Sequence, residues 1–118
     1  MANGRSHLTI RDSDGVTVVQ FSDRKILEEL SIAEIGEEFA KLIDGRSAMK
    51  LLVSFKNVDH LSSAALGMLI TLNKRVSEAK GKLRLSDISP QIYEVFKITR
   101  LNRLFDIHDT ADAAMSGF

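Results

Sequence analysis

The spacing of apolar positions changes several times along the chain, and each change predicts an element. The unbroken run Leu51, Leu52, Val53 and Phe55 is too short for a helix and rich in β-forming residues, which predicts a strand with both faces covered. Polar Lys56, Asn57 and Asp59 then predict a short loop. From there Ala65, Leu69, Leu72, Val76 and Ala79 recur every three or four residues, the period of a helix with one buried side. Its first residues are Ser62 and Ser63, and it should stop at Ala79-Lys80-Gly81.

The same reading extends to the flanks. Leu8-Thr9-Ile10-Arg11 and Val16-Thr17-Val18-Val19-Gln20-Phe21 predict two strands around a four-residue turn, Asp12-Ser13-Asp14-Gly15. The stretch from Ile26 to Leu30 suits a short strand or the approach to a helix. Ser31 and Glu34 have the spacing of a capping box, so a helix should begin at Ser31. Its buried stripe is Ile32, Ile35, Phe39, Leu42 and Ile43, with Glu34, Glu37, Glu38 and Lys41 toward water, and Asp44-Gly45 closes it. Lys82 to Ser86 alternates as a strand. Ser89-Pro90 opens a helix docked through Ile92, Val95 and Phe96, with Ser89 as cap and Pro90 where its missing N–H costs nothing. Leu104 to His108 is a last strand, and Asp109 or Thr110 caps a terminal helix through Met115. The order ββαβαβαβα predicts an α/β fold with a mixed sheet of four to five strands and about four helices. Residues 1–6 are polar and expected to be loose.

Length and composition narrow the class. The 118 residues fit one domain, 1–118, with enough chain to bury a real core. No apolar run reaches the roughly 20 residues that span a bilayer, and the stretch from Met1 to His7 lacks the apolar centre of a signal peptide. The expected location is therefore cytoplasmic, without membrane insertion. The absence of cysteine excludes disulfides and thiolate chemistry. Sixteen basic and sixteen acidic residues cancel, so no net field gathers nucleic acid. The charges are unevenly placed: residues 23–44 carry seven acids against three bases, and residues 74–84 five bases against Glu78 alone. These are solvated helix faces or surfaces that orient a partner.

The residues that could carry chemistry are few. A serine hydroxyl at a helix start caps free N–H groups or, being at the positive end of the helix dipole, offers a favourable place for a phosphate. Ser62 and Ser63 both stand at such a start. Leu66 and Ile70 lie beside the buried stripe and are expected to be partly exposed, as apolar anchors or as packing against a neighbour. Asp59, His60 and Ser62 or Ser63 do not make a hydrolase triad, because the Gly-x-Ser-x-Gly elbow is absent and triad members normally converge from separate parts of a fold. His60 is expected in a loop. His7, His60 and His108 lack metal-ligand spacing, and Gly81-Lys82 lacks the rest of a phosphate-binding loop, so neither metal nor cofactor is expected.

The stretch from Lys50 to Ile70 resembles the signature of the STAS domain, the family of bacterial anti-sigma factor antagonists. There a buried strand is followed by Asp-Ser-Ser/Thr/Ala-Gly-Leu-Gly at a helix start. With Leu66-Gly67 in register, the family's phosphorylatable serine falls on Ser63, its acid on Ser62 and its glycine on Ala65. The resemblance continues through Gly81-Lys82-Leu83-Arg84-Leu85 and the run from Ser89 to Phe105, covering roughly residues 8 to 115. It implies helices largely on one face of the sheet and a regulatory rather than catalytic protein. Its partner surface would comprise Asp59, His60, Ser62, Ser63, Ala64, Leu66, Gly67 and Ile70. The implied partners are an anti-sigma factor, often itself a serine kinase, and a phosphatase. Ser62 brings no carboxylate, and the Cβ of Ala65 is expected to restrict close approach by a partner backbone. The alternative the resemblance leaves is a STAS scaffold or accessory subunit of a stress-sensing complex or lipid transporter, without a phosphoserine switch.

Overall fold

A computed structural model describes residues 7–118; the stretch 1–6, expected to be loose, lies outside the described residues. Strand β1, Leu8–Ser13, pairs antiparallel with β2, Val16–Phe21. The turn between them is two residues rather than four. Asp14 and Gly15 take left-handed backbone, φ 50 and 80, and Ser13 already faces Val16 in the ladder. Asp12 and Ser13 thus belong to the strand, because a two-residue turn with both φ positive matches the natural twist of a hairpin.

Strands β4, Lys50–Ser54, β6, Lys82–Ser86, and β7, Asp106–His108, extend the sheet in parallel in the order β1-β2-β4-β6-β7. The predicted last strand loses Leu104 and Phe105, which follow a single 3-10 turn at Leu101–Arg103 and drop Phe105 into the core. A second, two-stranded sheet was not foreseen: β3, Lys25–Ile26, pairs in parallel with β5, His60–Leu61. His60 is therefore a strand residue, not a loop residue.

Among the described residues, three helices connect these strands and a fourth follows β7. They are α1, Glu29–Ile43, α2, Ser63–Glu78, α3, Pro90–Ile98, and α4, Ala111–Met115. The sheet's alternation assigns their faces. Val19, Phe21, Leu51, Val53, Leu83 and Leu85 share one core with Ile32, Ile35 and Phe39 of α1, Ala65, Leu69, Leu72 and Val76 of α2, and Ile92 and Phe96 of α3. Val16, Val18 and Leu52 point the other way and meet Ala114 of α4. The helices gather largely on one face, as expected. A chain of rings, Phe39 to Phe21 at 6.2 Å, Phe21 to Phe55 at 5.1 Å, Phe55 to Phe96 at 6.5 Å and Phe96 to Phe105 at 5.8 Å, runs through the larger core. Leu42 of the predicted stripe is only partly buried.

The capping box at Ser31 does not form. Helix α1 begins two residues earlier, with Glu28 as an N-cap that makes no side-chain cap bond. The acid that the box required is engaged elsewhere: Glu34 Oε1 lies 2.9 Å from Nε2 of the buried His7. Two further groups bind the same histidine. Its Nδ1 lies 2.6 Å from Asp23 Oδ2, and its backbone N–H donates to Glu38 Oε2 at 3.0 Å.

At the other end of α2, Lys80 rather than Gly81 takes the left-handed conformation, φ 60. The N–H groups of Lys80 and Gly81 close the helix on the carbonyls of Ser77 and Val76 at 2.9 and 2.8 Å. Gly81 serves close approach instead, since a Cβ there would stand 2.6 Å from the Met49 carbonyl oxygen. Nearby, Arg84 is drawn out of the basic run 74–84: its guanidinium donates to the carbonyls of Ala114, Ser116 and Gly117 and to Asp106. Among the described residues no helix is long and apolar enough to cross a membrane.

Candidate functional site

The carboxyl end of β4 delivers the chain to the start of α2. Phe55 is sealed in the core and its N–H donates to the Ser86 carbonyl at 2.9 Å, so Lys56 and Asn57 are forced outward as an exposed turn. Val58 returns to the interior, and Asp59, His60 and Leu61 then run beside β3. Three backbone bonds fix this return. The N–H groups of Asp59 and His60 donate to the Arg24 carbonyl at 2.7 and 3.2 Å, and the Ser62 N–H donates to the Ile26 carbonyl at 3.0 Å.

Ser62 and Ser63 have different tasks. Ser62 is the N-cap of α2: its Oγ accepts the Ala65 N–H at 3.2 Å. Ser63 is the first helical residue and its side chain is exposed. The first-turn N–H groups of Ser63 and Ala64 have no preceding helical carbonyl to reach, so positive dipole faces solvent where the Ser63 hydroxyl stands.

Along α2 the exposed residues Ser63, Ala64, Gly67 and Ile70 form one outer stripe. A Cβ on Gly67 would meet nothing within 4 Å, so the glycine has no packing reason in the isolated molecule. Ile70 is 41% exposed. Leu66 corrects the expectation: it is only 5% exposed and belongs to the large core, turned inward one position from the stripe. Ala65 corrects another. It is fully buried, so its Cβ points into the core and leaves the outer surface free.

Further exposed features were not singled out by the sequence. Leu27, just past the end of β3, is 46% exposed, and Leu30, in the first turn of α1, is 71% exposed. Leu30 falls outside the Ile32, Ile35, Phe39 stripe, and an apolar residue off its helix's buried period was the available signal. Arg24 binds Asp59 through side chain as well as backbone, its Nε and a terminal nitrogen reaching Asp59 Oδ2 at 2.9 and 2.6 Å. With Ser22, Lys56 and Asn57 this pair lines an open polar cleft of about 410 Å³. The Asp59 carboxylate is therefore engaged with Arg24, not with His60.

Comparison with known proteins agrees with this fold. The model of the STAS domain matches residues 7–114. BtrV of Bordetella bronchiseptica, whose name places it among anti-sigma factor antagonists, is 22% identical over 111 residues, covering 94% of this chain and 93% of its own. The structure of an anti-sigma-factor antagonist (STAS) domain protein from Planctomyces limnophilus superposes with a TM-score of 0.82 at 23% identity, over 94% of this chain and 96% of that one. The Bacillus cell fate determinant SpoIIAA in its phosphorylated form superposes with a TM-score of 0.66 at 15% identity, over 90% and 95%.

Proposed function

The chain belongs to the STAS domain family, and we propose that it is an anti-sigma factor antagonist whose contact surface is centred on Ser63 and is switched off by phosphorylation of that residue. The observation that carries this reading is the division of labour between the two serines: Ser62 satisfies the helix, and Ser63 is left exposed at its positive end. The surface comprises Asp59, His60, Ser62, Ser63, Ala64, Gly67 and Ile70, and we add Leu27 and Leu30 as its apolar margin. Buried Leu66 supports it from beneath.

In this reading the unmodified protein packs its Ser63 stripe against an anti-sigma factor and so frees a sigma factor for transcription. The partner, a serine kinase, transfers phosphate to Ser63, and a phosphatase removes it. A phosphate adds about 1.5 to 2 negative charges and three strong acceptors at the contact centre, which a partner would have to desolvate to remain bound. A coupling of about 1 to 3 kcal/mol changes affinity about 5- to 150-fold, enough for a switch without refolding. The first-turn N–H groups of α2 hold the phosphate in place at little cost to the fold. The protein acts by binding and not by catalysis.

Incubation with the kinase and ATP tests the assignment. The expected result is one phosphate on Ser63 and none on a Ser63→Ala variant, together with loss of the partner from the phosphorylated protein in a pull-down. Phosphate elsewhere, equal labelling of Ser63→Ala, or unchanged binding after phosphorylation would each refute it.

A further inference from the structure

The segment that presents Ser62 and Ser63 hangs from residues 22–26, and those residues are gripped from the opposite side by a buried histidine. The carbonyls of Arg24 and Ile26 accept the N–H groups of Asp59, His60 and Ser62. On the other side the Ser22 N–H donates to the His7 carbonyl at 2.8 Å, and the His7 ring reaches Asp23 at 2.6 Å and Glu34 of α1 at 2.9 Å. The His7 side chain is 10% exposed.

We propose that His7 is a positioning residue for Ser63: as an imidazolium it donates one ring N–H to Asp23 and the other to Glu34, fixing residues 22–26 against α1, and the carbonyls of Arg24 and Ile26 pass that position to Ser62 and Ser63. The inference rests on the reading of Ser63 as the contact point and names a proton that governs it. Only the doubly protonated ring donates from both nitrogens; a neutral ring turns a lone pair toward one carboxylate. The charged groups facing the ring are Asp23 from the β2–β3 connection and Glu34 and Glu38 from α1. Burial alone lowers the histidine's affinity for its proton. The bonds to Glu34 and Asp23 and the charges of Asp23 and Glu38 outweigh it, holding His7 above the usual 6.5. Loss of the proton leaves three carboxylates around a neutral ring that can donate to only one of Asp23 and Glu34, so the bridge between residues 22–26 and α1 opens and Ser63 loses its fixed position. This links the contact surface to pH.

The test is an NMR titration of the full chain from about pH 5 to 9, the range in which histidine charge changes. The His7 ring should titrate above 6.5, and the backbone amides of 23–26 and 59–63 should shift with the same midpoint. His7→Gln should abolish that step. Should His7→Gln fail to fold, Glu34→Gln, which removes one carboxylate, should move the ring midpoint and the amide step down together. A His7 midpoint at or below 6.5, or amides at 59–63 that ignore it, overturns the proposal. With an anti-sigma partner, affinity should fall at least about 5-fold across the step in the wild type and stay level in His7→Gln. If no such partner binds at any pH, the proposed function fails, while the ring and amide titrations still decide the role of His7.

Discussion

Ser62 caps the helix whose first residue is Ser63. The Ser62 Oγ accepts the Ala65 N–H at 3.2 Å while the neighbouring hydroxyl stays exposed. Ser62→Ala should therefore cost about 1 kcal/mol of stability, the usual loss of an N-cap. Ser63→Ala should change stability by less than about 0.5 kcal/mol, as at an ordinary surface position. Urea unfolding of the two variants side by side measures this. Equal losses, or the larger loss at Ser63, would mean that the hydroxyl proposed for the switch is the one the helix needs.

Gly67 lies in the second turn of α2, inside the helix, where glycine costs about 1 kcal/mol relative to alanine. Its added Cβ would stand in open space. Gly67→Ala should therefore stabilise the isolated protein by up to about 1 kcal/mol while weakening partner binding, because the space the glycine keeps open lies in the Ser63 stripe. Thermal unfolding and an affinity measurement on the same sample separate the two effects. Unchanged affinity would place the partner backbone elsewhere.

The central strand, α2 and the Ser89 cap of α3 were legible because each is encoded within a few residues. Leu51 to Phe55 cannot be amphipathic, the run from Ala65 to Val76 holds one helical phase, and Ser89 accepts the Ile92 N–H as its sequence suggests. The β3–β5 pair was not legible. Each strand is two residues long, too short to show a period, and the partners Ile26 and Leu61 meet only when the whole chain has folded. The start of α1 misled for a related reason. Ser31 and Glu34 have the right spacing, but Glu34 is bound to His7, 27 residues away in sequence. At the site, Ser63 and Ile70 were placed by local period, whereas Leu66 was misjudged because it sits at the boundary of the stripe, where a small rotation of the helix decides burial.

Gly81 shows a constraint that local reading assigned to the wrong cause. Its substitution by alanine would drive a Cβ to 2.6 Å from a backbone oxygen and 3.2 Å from the nitrogen of Met49, with Val76 Cγ1 at 3.0 Å. The Met49 backbone cannot yield as a flexible side chain would. Gly81→Ala should destabilise by about 1 to 3 kcal/mol, the range for overpacking. Urea unfolding checks this, and a neutral result would mean that the α2–β6 connection gives way easily.

The stability of the fold should also carry the signature of His7. Its proton is held more tightly in the folded protein than the usual 6.5. The stabilisation is then fully present below about pH 6.5 and is lost as pH rises through the folded value. Relative to His7→Gln, the wild type should lose urea resistance between neutral and alkaline pH. Parallel unfolding midpoints for the two proteins across that range would show that the ring contributes no proton-linked stability.

Leu66 and Ile70 lie four residues apart on α2, yet the core holds one and water reaches the other. Truncating Leu66 to alanine removes side-chain volume from among buried neighbours and should cost about 2 to 5 kcal/mol. Any loss of partner binding by that variant would follow from loss of fold and should recover under conditions that stabilise it. Ile70→Ala should behave oppositely. Stability should move by less than about 0.5 kcal/mol, while affinity for the partner should fall by an amount no stabilising condition restores, since the lost area belongs to the proposed interface. Measuring affinity and unfolding on both variants separates a supporting residue from a contacting one. Should Ile70→Ala bind as tightly as wild type, the stripe ends before its last turn, and the apolar grip would have to come from Leu27 and Leu30.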